Sequence, residues 1–386
     1  MDKKANQGTE ISISKPETTH TPRVRALTEA FSQNRLAAAG MVIFVLFFIT
    51  AVAGVFLTSG TDPVFDPATV RLQEKLRPPL SLPSVEILRP EEIPPFGRYI
   101  FGTDDLGRDI FSRMLQGAWV SLTVGFVAVG ISVLVGIFLG GIAGYFGQIA
   151  ISLGHILAVC LAAAAAVSLV SGFLPVGLVL AAAAALWMWA CLKSGKGVPV
   201  SRTGTTILDR GMISVDTLIM RLVDIMLCFP SFFLILTVVA LLPASIYNIM
   251  IVIGLTSWMG AARFVRAEFL SLREQDFVTA AKALGVNDMR IIFRHIMPNA
   301  IAPVLVSATI GIATAILTEA GLSFLGFGVP PPHATWGNIL SDGKRFIFDA
   351  PWLTFIPGIS ILIVVLCFNL FGEGLRDAFN PKLKER

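Results

Sequence analysis

Residues 114–192 form a run of 79 positions without one Asp, Glu, Lys or Arg. A bilayer core asks for about 20 apolar residues per helix, so this run alone holds more than two membrane spans. The whole chain of 386 residues is 54% hydrophobic and 15% charged, against about 25% charged in a typical soluble protein. A soluble enzyme is excluded. A disulfide-stapled secreted domain is excluded too, because Cys160, Cys191, Cys228 and Cys367 all fall inside apolar runs, where thiols act as small packing residues.

Apolar segments fall near 36–57, 119–146, 149–170, 174–192, 222–242, 246–262, 299–318 and 352–372, which predicts eight helical spans. The runs are long and lack period-two alternation, which argues against a strand barrel. The third and fourth are alanine-rich and separated only by a turn at Ser171, Gly172 and Pro175. With the polar N-terminal tail 1–35 in the cytoplasm, the cytoplasmic segments carry 21 Lys and Arg and the outer segments 58–118 and 320–351 carry nine. That asymmetry satisfies the positive-inside rule and puts both termini inside. The first run starts too deep for a cleaved signal peptide and reads as a retained anchor. Parity then requires that both of the alanine-rich segments cross or that neither does. The outer segment 58–118 has eight prolines and no helix or strand period, and reads as an extended covering loop.

Sites for chemistry are lacking. Gly102–Asp109 (GTDDLGRD) has the glycine spacing of a phosphate loop but ends in Arg-Asp where Lys and Ser or Thr would be needed. His20, His155, His295 and His333 stand apart from each other and from any cysteine pair, so no zinc spacing exists. Charges within spans are few: Arg221 and Asp224 are placed for an i,i+3 pair near a membrane boundary, and Glu319 lies near the outer end of its span. A chain with so many spans and so little coupling machinery draws its energy from another polypeptide. A self-contained secondary transporter or channel is the alternative from another class; it calls for paired broken helices and midplane charges.

The informative loop is 263–298, and within it Glu274–Pro298 (EQDFVTAAKALGVNDMRIIFRHIMP). Phe277, Ala280, Ala281 and Leu284 recur at helical spacing. Gly285 suits the left-handed end of that helix and Asn287 the cap of a second one, which runs over about 288–297 and stops at Pro298. Two short helices about a glycine turn would form a rigid knuckle, with Ala280 and Ala281 small enough for a partner's backbone to come close. The motif A-A-x-x-L-G-V-N is also compatible with a helix-turn-helix, but tethering to membrane on both sides excludes a nucleic-acid reader.

This segment resembles the cytoplasmic signature of the membrane permeases of binding-protein-dependent ATP-binding-cassette importers: Glu-Ala-Ala, three residues, Gly, nine residues, Ile-x-Leu-Pro. Here Thr279-Ala280-Ala281, Gly285 and His295-Ile296-Met297-Pro298 keep that spacing, with Thr for Glu, His for Ile and Met for Leu. The resemblance narrows to the C-type permease of dipeptide, oligopeptide and nickel importers through Phe101-Gly102-Thr103-Asp104, Gly107-Arg108-Asp109 and Ser112-Arg113. It continues through Met220–Asp224 with Phe229-Pro230-Ser231, Gly321–Gly326 with Trp336-Gly337, and Asn369–Asp377. It implies an all-α polytopic permease with a six-helix core, placed in the bacterial inner membrane, with Thr279, Ala280, Ala281, Leu284, Gly285 and Pro298 docking an ATPase. It further implies a homologous second permease, two ATPases that hold the ATP and Mg, and an outer substrate-binding protein; no cofactor or metal is expected in this chain. Gly102, Asp104, Gly107, Arg108 and Asp109 are expected at the outer gate or its contact with the binding protein. Two departures stand out. Trp119 occupies a position where the family carries arginine, and residues 148–215 are inserted between the Gly144-Tyr145-Phe146-Gly147 turn and the core that resumes at 216. A two-helix hairpin in that insertion would bring six spans to eight.

Overall fold

The computed structural model describes residues 34–379 except 61–62, 87, 90–91, 153–180 and 183–210. It is predominantly helical. Five helices are long and apolar enough to cross a membrane: α1 (Arg35–Thr58), α2 (Ile110–Phe146), α5 (Ile246–Arg273), α7 (Asp288–Phe324) and α9 (Trp352–Phe379). The shortest, at 24 residues, is about 36 Å long at 1.5 Å per residue, enough for a 30 Å hydrocarbon layer. A sixth span is available if α3 (Val215–Leu227) and α4 (Ser231–Leu241) count as one, although they meet at 79°.

That bend departs from the straight span expected over 222–242. Pro230 carries no N–H, has an extended ψ of 112° and caps α4, so the helix ends before Phe229-Pro230-Ser231 and restarts in a new direction. The expected Arg221–Asp224 pair is also replaced. Asp224 is paired at 2.5 Å with Arg263 of α5, and Asp216 takes both arms of Arg266. Packing α3 across α5 brings those arginines opposite the acids, which local i,i+3 spacing does not anticipate.

α2 starts nine residues before its expected position, inside what reads as covering loop. Asp109 caps it by accepting from the N–H groups of Phe111 and Ser112, so Ile110–Ala118 are helical. α2 and α5 lie against each other through small residues. A Cβ added at Gly136 would fall 2.5 Å from the Ala261 Cβ, and one at Gly144 would fall 2.6 Å from the Phe269 Cβ. Gly136, Gly140 and Gly144, four residues apart, thus form a close-packing face.

α7 runs through Pro298, where the sequence suggests a stop. Residues Ile292–Ile296 form a π-helical turn, closed by the Met297 N–H on the Ile292 carbonyl, and Pro298 opens the α-helical segment that follows. A proline ring clashes with the carbonyl four residues back in a regular helix, and the wider turn relieves it. At the other end of the bundle, α8 (Trp336–Gly343) is a short helix with a Thr335–Asn338 capping box, wedged among α2, α7 and α9.

The spans expected over 149–170 and 174–192 lie almost wholly outside the described residues. Their flank is described. Ala150–Ser152 (β1) pairs antiparallel with Gly211–Ser214 (β2), Ala150 facing Ser214 and Ile151 facing Ile213, so residues 150–152 are strand where the third span was expected to begin. Of the four cysteines two are described: Cys367 is buried with its Sγ 3.0 Å from the Gly40 carbonyl, and Cys228 is exposed at the α3–α4 bend.

Candidate functional site

Two sites stand at opposite ends of the bundle. The first is the knuckle formed by α6 (Asp276–Ala283), the Leu284–Asn287 turn and the start of α7. Gly285 has φ +74°, the left-handed conformation that ends α6, and Asn287 Oδ1 accepts from the Met289 N–H to cap the next helix. The apolar positions of α6 divide between two faces. Val278 and Ala281 are buried against Tyr145, Phe269, Ile291 and Ile296, whereas Thr279, Ala280, Leu284 and Gly285 are exposed, Leu284 at 83%. Ala281, expected among the docking residues, lies on the packed face: one helical step of 100° separates it from the free face. Pro298 is exposed and opens the α-helical part of α7 just behind the π turn. Leu284, Gly285, Val286, Asn287, Met289 and Arg290 line a cleft of about 520 Å³. Met289 and Phe293 are exposed apolar residues on the same segment that the signature comparison does not single out.

The knuckle is tied to the end of α2. Tyr145 Oη donates to Asp288 Oδ1 at 2.5 Å, Lys282 Nζ lies 5.3 Å from the Tyr145 ring centroid, and Arg273 donates to the carbonyls of Gly144 and Tyr145 at 3.4 and 3.2 Å. A neutral phenol–carboxylate bond and a cation over its ring fix the orientation of α6 relative to a long transmembrane helix.

The second site is the loop end, residues 63–109. Gly102, Asp104, Gly107, Arg108 and Asp109 come together there, but as a buried knot and not as an exposed docking face. Asp104 is 0% exposed. Its Oδ1 accepts from the N–H groups of Leu106 and Arg108 at 2.9 Å, and its Oδ2 takes Arg108 Nε and Arg113 Nη1, each at 2.6 Å. The same two arginines reach Asp342 of α8 at 3.3 and 3.0 Å, and Arg113 also donates to Asn338 at 3.4 Å. Two positive and two negative groups thus close a network across the loop, α2 and α8. Gly107 has φ +72° and a Cβ there would overlap the Arg71 carbonyl, so only glycine fits. Asp109 is the α2 cap, and burial pushes its carboxyl above the usual range despite three hydrogen bonds from Phe111 and Ser112. Desolvation and the neighbouring Asp104 and Asp342 raise Asp105 as well. Arg113 and Asp342 complete the network but were not among the expected site residues. Arg113 lies in the quoted Ser112-Arg113 pair, while Asp342 carries no local signal.

Trp119, at the position where arginine was expected, is 42% exposed on α2, and its backbone carbonyl accepts from Thr123. Among the described residues no group of three or more His, Cys, Asp or Glu is placed to hold a metal ion.

Comparison with known proteins agrees with this arrangement. The family described as the binding-protein-dependent transport system inner membrane component matches residues 210–385. The dipeptide transport system permease protein DppC of Alkalihalophilus pseudofirmus is 37% identical over 372 residues, 96% of this chain and 94% of the relative. The oligopeptide transport system permease protein OppC of Bacillus subtilis is 31% identical over 355 residues, covering 92% and 88%. The dipeptide permease protein DppC of Haemophilus influenzae is 32% identical over 355 residues, covering 92% and 93%. Spans, knuckle and near full-length similarity together place the chain in the family of binding-protein-dependent transport system inner membrane components, as a permease subunit of an ATP-binding-cassette importer.

Proposed function

We propose that this chain forms one half of a peptide pathway across the bacterial cytoplasmic membrane, beside a homologous second permease. Peptides are the substrate named for the relatives, and similarity over nearly the whole of both chains supports carrying that class over. Two ATPase subunits, which bind the ATP and Mg, dock on the knuckle, and a substrate-binding protein delivers peptide at the loop end. The termini then lie in the cytoplasm with the knuckle, and the loop end faces outward. An inserted pair of crossings within 148–215 would make eight spans of six and leave that orientation unchanged.

The observation that carries this reading is the two-sided knuckle. Its inner face, Val278 and Ala281, is held in the bundle, while Thr279, Ala280, Leu284 and Gly285 stand free beside a cleft. An apolar side chain such as Leu284, exposed on a rigid element, is suited to fill a groove on a partner; one well-packed anchor of this kind is worth 2 kcal/mol or more, about 30-fold. At the loop end, the Asp104–Arg108–Arg113–Asp342 network acts as a latch that holds the loop to α2 and α8, with Gly102 and Gly107 giving the turn its shape.

The test is Leu284→Asp in the intact complex, with uptake, membrane insertion and co-purification of the ATPases measured together. Uptake and ATPase recovery should fall about 30-fold or more while the chain remains in the membrane. Unchanged uptake with full ATPase recovery would refute the docking assignment.

A further inference from the structure

Glu319 is the one acidic residue of α7 placed deep in the protein at the loop end, and the latch does not use it. It is 0% exposed, and its Oε1 accepts a 2.6 Å hydrogen bond from Ser323 Oγ one turn further on. The hydroxyls of Ser121 on α2 and Thr335 at the cap of α8 face the same carboxyl. Ser323 Oγ lies 3.5 Å from Thr335 Oγ1. Three elements therefore meet around four side chains that offer only oxygen. Two of those oxygens, Glu319 Oε2 and Ser121 Oγ, are buried without a hydrogen-bond partner.

The charge balance is uneven. Among the described residues no Lys, Arg or His pairs with Glu319, and the polar groups facing it from α2, α7 and α8 are the three hydroxyls alone. Arg108 and Arg113, the cations of the network above, are committed to Asp104 and Asp342. An uncompensated buried carboxylate costs several kcal/mol, and hydroxyl dipoles recover only part of that. A single carboxylate balances one positive charge, so a monovalent cation leaves the buried site neutral whereas a divalent one would leave it charged. An all-oxygen donor set suits a hard cation.

We propose that Glu319, Ser121, Ser323 and Thr335 form a binding site for one monovalent cation, a proton or an alkali ion, shared between Glu319 Oε2 and Ser121 Oγ. The cation joins α2, α7 and the start of α8, so it acts as a pin for the short helix. Moving α8 away exposes the carboxyl to water and lets the cation leave. In the importer reading, opening of the loop end is thereby linked to exchange of this cation with the outer medium; the binding site itself does not depend on that reading.

The experiment uses the purified full complex of the native protein, of Glu319→Gln and of Ser121→Ala. Infrared spectra report a protonated carboxyl, and thermal unfolding is followed in sodium against choline chloride at fixed ionic strength. A carboxylic-acid carbonyl band present in the native protein and absent from Glu319→Gln identifies the proton. Stabilisation by sodium over choline that Glu319→Gln abolishes identifies the alkali ion. Ser121→Ala keeps the carboxyl and should weaken cation binding about tenfold, which shows as a shifted sodium or pH midpoint. Spectra and sodium response identical between the native protein and Glu319→Gln, or a midpoint unmoved in Ser121→Ala, overturn the proposal whether or not the complex transports peptide.

Discussion

Arg113 places one guanidinium between two aspartates that lie nine and 229 residues away in the chain, Asp104 and Asp342. The two partners are not equivalent. Asp104 is fully buried and receives both arginines and two backbone donors, whereas the Asp342 side chain is 35% exposed. Removing the buried partner leaves two guanidiniums to share the partly exposed Asp342 alone. Asp104→Asn should therefore destabilise the protein by about 3–5 kcal/mol, and Asp342→Asn by about 1 kcal/mol or less, because water replaces what it loses. Thermal unfolding of the detergent-purified variants measures the difference; equal losses would mean that the network is not organised around Asp104. At this scale the sequence was legible where the rule is local. Gly285 at φ +74° and Asn287 as a cap both follow from neighbouring residues. The role of Asp342 was not legible, since nothing within a few residues of it points to Arg113. Burial was not legible either: GTDDLGRD reads as a polar outer loop, and Asp104 and Asp109 are nonetheless buried.

Among the elements, α6 and α7 show how packing overrides a pattern that periodicity reads correctly. Phe277, Ala280, Ala281 and Leu284 are helically spaced as expected, but the bundle takes Val278 and Ala281 and leaves Leu284 outside. Which side of a short amphipathic helix is covered depends on the partner it meets, here Tyr145, Phe269 and Ile296. The π turn before Pro298 was equally hidden, because proline announces a break without saying whether the chain ends its helix or widens it. The knuckle and α2 meet at Tyr145. Tyr145→Phe removes the bond to Asp288 while keeping the ring beneath Lys282, so it should cost about 1 kcal/mol and loosen α6 against α2. In the assembled importer the expected result is more ATP hydrolysed per peptide taken up, by about twofold or more, with little change in the amount of complex. An unchanged ratio would show that the motion of α6 is not transmitted through this contact.

For the whole molecule, apolar length gave the spans that are single helices, α1, α2, α5, α7 and α9, and also the segment over 222–242, but not the bend between α3 and α4, because hydropathy is blind to direction. The two strands at the edges of the insertion were missed for another reason: three- and four-residue strands beside long apolar runs have too few alternating positions to stand out. Their pairing makes a specific expectation. Residues 150 and 214 are bonded neighbours, about 5 Å apart across the ribbon, so the core closes without the segment between the strands. Replacing residues 153–210 by an Asn-Gly turn should leave membrane insertion, ATPase recovery and the Asp216–Arg266 pair intact. Loss of the chain from the membrane would show instead that the segment is part of the folding core. The ribbon also has a consequence for descent. A stretch that departs and returns at one point can be acquired, lengthened or lost in a lineage without any other helix having to be rerouted, so it is a place where relatives can differ freely while the transport machine around it stays recognisable.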